Sequence, residues 1–96
     1  MMETTLEKQL SALFREAGMA HHQAFIAVNG EDAEWHAWYA DFLYERLLAL
    51  VPVDIERDDL ADLLALMEKT RQARDWRAYW PDFYARFFLG KFALSV

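Results

Sequence analysis

The adjacent pair His21-His22 is the feature of this sequence most open to a chemical reading. Neighbouring side chains on a helix diverge by about 100°, so the two do not readily share one metal ion, whereas histidines four apart would. His36 offers another imidazole, and Asp32 lies four residues before it on the same helical face. A metal centre wants about three ligands with hydrogen-bonded partners behind them. Neither His-Glu-x-x-His nor the Glu-x-x-His of di-iron bundles occurs. The expectation is no metal and no cofactor, with one histidine packed in the core and bonded to backbone while its neighbour faces water.

Other chemistry has less to stand on. Ser11 falls on the polar side of the first helical pattern and Ser95 near the chain end, neither with a histidine or acid at suggestive spacing. Asp41 and Glu45 sit among aromatics and are the carboxylates that burial would suit to acid–base work. The simpler reading places Asp41 on a solvated face, paired with Arg46 or Arg86. Catalytic residues are therefore not assigned. Arg71, Arg74, Arg77, Arg86 and Lys91 interleave with Trp76, Tyr79, Trp80 and Tyr84, the mixture of cations and rings that a single-stranded nucleic acid would use. A net charge of −6 argues against that partner and against anionic membranes.

The charge is divided along the chain. Residues 1–68 hold 4 basic and 14 acidic groups, net −10, and residues 69–96 hold 6 basic and 2 acidic, net +4. There are no cysteines, and Met1-Met2-Glu3-Thr4-Thr5 lacks the basic-then-apolar start of a secretory signal. The longest apolar run, Leu47 to Val53, is far short of the ~20 residues of a membrane span. A soluble, cytoplasmic protein of one domain, residues 1–96, is expected.

Aromatics stand out, at 15 of 96 residues with eight between Trp76 and Phe92. Each can bury roughly 150–250 Å², more than so short a chain would comfortably enclose. Some are expected at a groove or a subunit interface. Trp35, Trp38, Tyr39, Trp76, Trp80 and Tyr84 are the candidate binding residues, joined by His21 and His22. Their composition resembles that of protein–protein hot spots, which predicts a non-enzymatic interaction module forming a homodimer or docking on a helical partner. The alternative is a small-ligand or metal site near His21, His22 and the central helix, an apolar or cationic ligand being held between Trp35, Trp38, Tyr39 and Trp80.

The elements that must position these residues read as an all-α bundle of four principal helices and one short one, mostly antiparallel. Thr4 and Glu7 have capping-box spacing. Leu6, Leu10, Leu13, Phe14 and Ala17 make one apolar face, and Gly18 is placed to end that helix. Met19–Val28 is expected as a short helix buried on more than one side, closed by Asn29-Gly30. Asp32 suits the N-cap of the central helix, whose stretch from Glu34 to Leu48 is too apolar for a surface and too charged for a membrane. Val51-Pro52 should stop it. A helix from about Asp54 or Glu56 buries Leu60, Leu63, Leu64 and Met67, with acids at its start and Lys69, Arg71 and Arg74 at its end, as the macrodipole favours. Asp75–Trp80 reads as a connection, and Pro81 as the first residue of a last helix carrying Phe83, Tyr84, Phe87, Phe88 and Phe92. Asp82 and Arg86 there form an i, i+4 pair.

The central and last helices echo each other. Setting Trp35 on Trp80 also matches Tyr39 with Tyr84, Ala40 with Ala85 and Phe42 with Phe87. Such helices would pack as a pseudo-symmetric pair approaching at Ala40 and Ala85, unless the match is chance in an aromatic-rich chain. Around these residues, His21-His22-Gln23-Ala24-Phe25, Asn29-Gly30 and Trp35-His36-Ala37-Trp38-Tyr39-Ala40, the chain resembles a group of small bacterial all-helical proteins to which no activity is attached. The likeness spans residues 21–43 and, more loosely, 80–89, and implies a helical fold only.

Overall fold

The computed structural model describes residues 5–28 and 32–94. Four helices account for most of them: α1 (Leu6–Ala24), α2 (Trp35–Leu50), α3 (Arg57–Arg74) and α4 (Trp80–Lys91), with a single 3-10 turn at Ile26–Val28. Each helix packs on its neighbour in sequence, and α4 returns to α1 to close a four-membered ring. Residue pairs fix the directions. Gly18 meets Trp80 while Glu7 meets Arg86, so α1 and α4 are antiparallel. Arg57, at the start of α3, reaches Asp41 and the Tyr44 ring, while Glu68, Arg71 and Gln72 near its end share a cleft with Trp35 and Tyr39 at the start of α2, so α2 and α3 are too. The C-terminal ends of α1 and α3 and the N-terminal ends of α2 and α4 therefore gather at one end of the bundle.

The α3 stripe forms as its spacing dictates: Leu60, Leu63, Leu64 and Met67 are all buried. They close on Leu10, Phe14 and Ala17 of α1, Ala40, Leu43 and Leu47 of α2, and Tyr84, Ala85, Phe88 and Leu89 of α4. Val51 leaves the helix in extended geometry (φ −130°, ψ 146°) ahead of Pro52, as a residue before proline should.

The first helix departs from expectation. It does not stop at Gly18 but runs six residues further, to Ala24. Its buried stripe continues from Leu10, Phe14 and Ala17 to His21, and that burial outweighs the helix-weakening tendency of glycine. No separate helix spans Met19–Val28. Nor is that segment enclosed: Met19, Ile26 and Val28 are each more than half exposed. The cap is Thr5, whose hydroxyl accepts the Lys8 amide at 3.2 Å, in place of Thr4, which lies outside the described residues, as do Asn29, Gly30 and Glu31.

Smaller differences follow from packing. Asp32 stands three residues ahead of α2, its carboxylate accepting the Glu34 amide at 3.0 Å. The last helix begins at Trp80, one residue before the buried Pro81. Asp82 and Arg86 do not pair with each other, because α1 lies alongside: Asp82 accepts a hydrogen bond from the Ser11 hydroxyl, and Arg86 sits 3.5 Å from Glu7. Asp41 pairs at 3.5 Å with Arg57, not with Arg46 or Arg86, and both side chains are well exposed, so the pair adds ~1 kcal/mol at most. The echo helices α2 and α4 stand across the ring from one another, so Ala40 and Ala85 are both buried but do not form a close-approach seam.

Candidate functional site

The aromatics of α2 and α4 do meet at the shared end of the bundle. Residues four apart on a helix lie one above the other, so Trp35 packs edge-on to Tyr39 at 5.6 Å, and Trp80 does the same to Tyr84 at 5.1 Å. Tyr39 then touches Trp80 across the ring at 6.1 Å. These two equivalent stacks form the walls of an open cleft of about 300 Å³, whose remaining wall is Glu68, Arg71 and Gln72 of α3.

Trp38 takes a different side of α2. It lies flat on Phe42 (5.7 Å, 9° between planes) and edge-on to His21. His21 is buried among Phe25, Trp38 and Tyr39, and its Nε2 donates to Asp32 Oδ2 at 3.1 Å. The expected core histidine is thus His21, with a carboxylate as its partner in place of backbone, while His22 is exposed. His36 sits 3.9 Å from Glu34 and does not join them. Among the described residues no group of three His, Asp or Glu could hold a metal ion.

The polar wall was not anticipated from the sequence. Glu68 receives four hydrogen bonds: from Arg71 Nε at 2.8 Å and Nη2 at 2.7 Å, from Gln72 at 2.8 Å, and from the Tyr84 hydroxyl at 2.9 Å. A carboxylate offers about four lone-pair directions, so Glu68 is saturated. Burial by itself would raise its pKa. The hydrogen bonds from Arg71, Gln72 and Tyr84, with the charge of Arg71, outweigh that and hold it below the ordinary carboxylate value. Burial, and donation to Glu68, push the Tyr84 phenol well above its usual value. Burial, with the Glu68 charge nearby, raises Tyr39 as well. An ionised carboxylate with every acceptor direction occupied is poorly placed to take a proton from a substrate. The network serves instead to fasten α3 to α4.

Arg71 extends that fastening into the loop. Its Nη1 donates to the carbonyls of Trp76 at 2.8 Å and Ala78 at 3.3 Å. The Trp76 backbone is thereby tied to a residue of the cleft wall, and its side chain is 64% exposed, with the Arg77 guanidinium 4.8 Å from its ring.

Gly18 explains the seating of Trp80. A Cβ there would stand 2.6 Å from Trp80 Cζ2, so the indole edge rests directly on the α1 backbone. Alanine in a helix interior is worth up to ~1 kcal/mol over glycine. Gly18→Ala is nevertheless expected to destabilise the protein by about 1–2 kcal/mol in urea unfolding, because Trp80 is flanked by Tyr39 and Tyr84 and cannot withdraw without unpacking them. A stabilised Gly18→Ala protein would mean that the indole is not seated there.

Comparison with protein-family models, with curated proteins and with solved structures yields no match to this chain.

Proposed function

We propose that the protein is a non-enzymatic interaction module that self-associates through the end of the bundle where this cleft opens. A two-fold interface uses one patch on both subunits, so the patch must be complementary to itself. A knob beside a hole satisfies that condition. Trp76 is the knob, and the cleft between Trp35, Tyr39, Trp80 and Tyr84 is the hole, with Arg71 bonding the loop of one and lining the wall of the other. This adjacency is the observation that carries the reading.

Exposure narrows it. Of the fifteen aromatics, Phe14, Tyr84 and Phe88 are buried, ten are partly enclosed, and only Trp76 and Tyr79 are exposed. The ring surplus is mostly absorbed by stacking within the chain. What remains is concentrated at one end, where Met19, Ile26 and Val28 are also open to water. Leu48 and Leu66 are exposed elsewhere, and single surface leucines need no partner.

Sedimentation equilibrium over a concentration series tests the reading. The expected result is a monomer–dimer equilibrium that Trp76→Ala weakens at least tenfold, the loss of about 1.4 kcal/mol or more typical of a central tryptophan anchor. Trp76 is too exposed for its removal to upset the fold, so Trp76→Ala should keep its unfolding midpoint at low concentration. A wild-type chain that stays monomeric throughout, or a variant that dimerises equally well, contradicts it.

A further inference from the structure

A second cleft, of about 430 Å³, opens on the other side of the Tyr39–Trp80 contact. Its floor is α1 at Gly18, where the missing side chain lets Trp80 lie against backbone. Tyr39 and Trp80 supply aromatic walls, and Arg15, His22 and Gln23 supply the polar rim.

The rim has a sign. Although the chain carries −6 overall, no carboxylate lines this cleft. Arg15 also borders the next cleft along α1, whose carboxylates Glu7 and Asp82 are engaged by Arg86 and Ser11. Arg15 forms no ion pair among the described residues. A guanidinium, an imidazole and an amide thus line the rim of a cleft walled by two aromatic rings set at 75° to one another. Rings favour a flat π-system at offset or edge-on geometry, and a planar guanidinium matches a carboxylate through two parallel hydrogen bonds. The volume lies in the range of small-molecule sites, ~300–1,000 Å³.

We propose that this cleft binds a small planar aromatic carboxylate, the ring lying against Trp80 and Tyr39 and the carboxylate facing Arg15 and His22. This cleft shares Tyr39 and Trp80 with the one assigned to self-association, but Trp76 does not line it and Arg15, His22 and Gln23 belong to it alone.

The test is a titration of the full chain followed by amide and indole NMR shifts with three probes of one shape: 2-naphthoate, neutral 2-naphthylmethanol and cationic 2-naphthylmethylammonium. Saturable shifts at Gly18, His22 and the Trp80 indole are expected, with naphthoate tightest and the ammonium weakest. Arg15→Gln, on an exposed position that leaves the fold intact, should weaken naphthoate about fivefold, the value of one exposed charge contact. Trp76→Ala should bind naphthoate as the wild type does, which separates this outcome from any result on dimerisation. Three probes binding alike, no saturable shift at those residues, or an Arg15→Gln protein binding as tightly as wild type would each overturn the proposal.

Discussion

Phe14→Ala should cost about 3–5 kcal/mol of folding stability, the range for emptying a buried phenylalanine site. Phe14 is fully buried at the middle of α1 and meets Tyr84 in a T-shaped pair, with ring centroids 5.6 Å apart and planes 82° apart. Truncation removes the transfer gain of the ring and leaves a cavity between α1 and α4 that two helices held elsewhere along their length cannot close. Domains are typically stable by ~5–15 kcal/mol, so the loss is a large fraction of the total. Urea denaturation measures it, with the slope showing whether the transition stays two-state. Phe14→Leu, which keeps most of the volume, should recover most of the loss. A Phe14→Ala protein within 1 kcal/mol of wild type would show that this part of the core is not packed as described.

Glu68→Ala is expected to lose about 2–3 kcal/mol. Hydrogen bonds to a charged group are worth ~1.5–3 kcal/mol each, and breaking a buried pair commonly costs 3–5. The lower figure applies because the side chains of Arg71 and Glu68 are 18% and 21% exposed, and water can solvate what is left behind. The same carboxylate makes stability depend on pH. Its folded-state pKa lies below the ordinary value, so the stabilisation is complete above the unfolded pKa and is lost as pH falls through the lower, folded one. Glu68→Gln cannot titrate and should flatten that acid limb of the stability curve, while retaining one acceptor for Tyr84 or Arg71. An acid limb identical in wild type and Glu68→Gln would remove Glu68 from the account.

Much of the scaffold was legible because local patterns and tertiary packing agree. The α3 stripe at Leu60, Leu63, Leu64 and Met67 is one such case, and the stop at Val51-Pro52 is another. Gly18 misled for a physical reason: a glycine where a helix could end looks the same in sequence as a glycine kept small by an indole from a helix 62 residues away. The aromatic echo brought Trp35, Tyr39, Trp80 and Tyr84 to notice, and they line one cleft. Trp38 repeats the same residue type but points to the His21 side, because helical positions three apart from Trp35 and one from Tyr39 do not share their exact facing.

Glu68 was missed, and Arg71 read without its partner, although a signal existed. They continue the buried row from Leu60 and Leu64 at four- and three-residue steps, where an acid and a base replace leucine. Charge at the end of an apolar stripe marks a partly buried pair. Arg71 was instead attributed to the helix dipole, which is a sound reading of an isolated helix and incomplete for a packed one.

The central claim is that Trp76 of one copy enters the aromatic cleft of another. An isotope-filtered NOE experiment on a mixture of labelled and unlabelled protein, above the concentration at which it associates, tests this most directly. The account predicts intermolecular contacts between the Trp76 indole of one copy and the Trp35, Tyr39 and Trp80 rings of its partner. Intermolecular contacts confined to other surfaces, or none at any concentration, would contradict it.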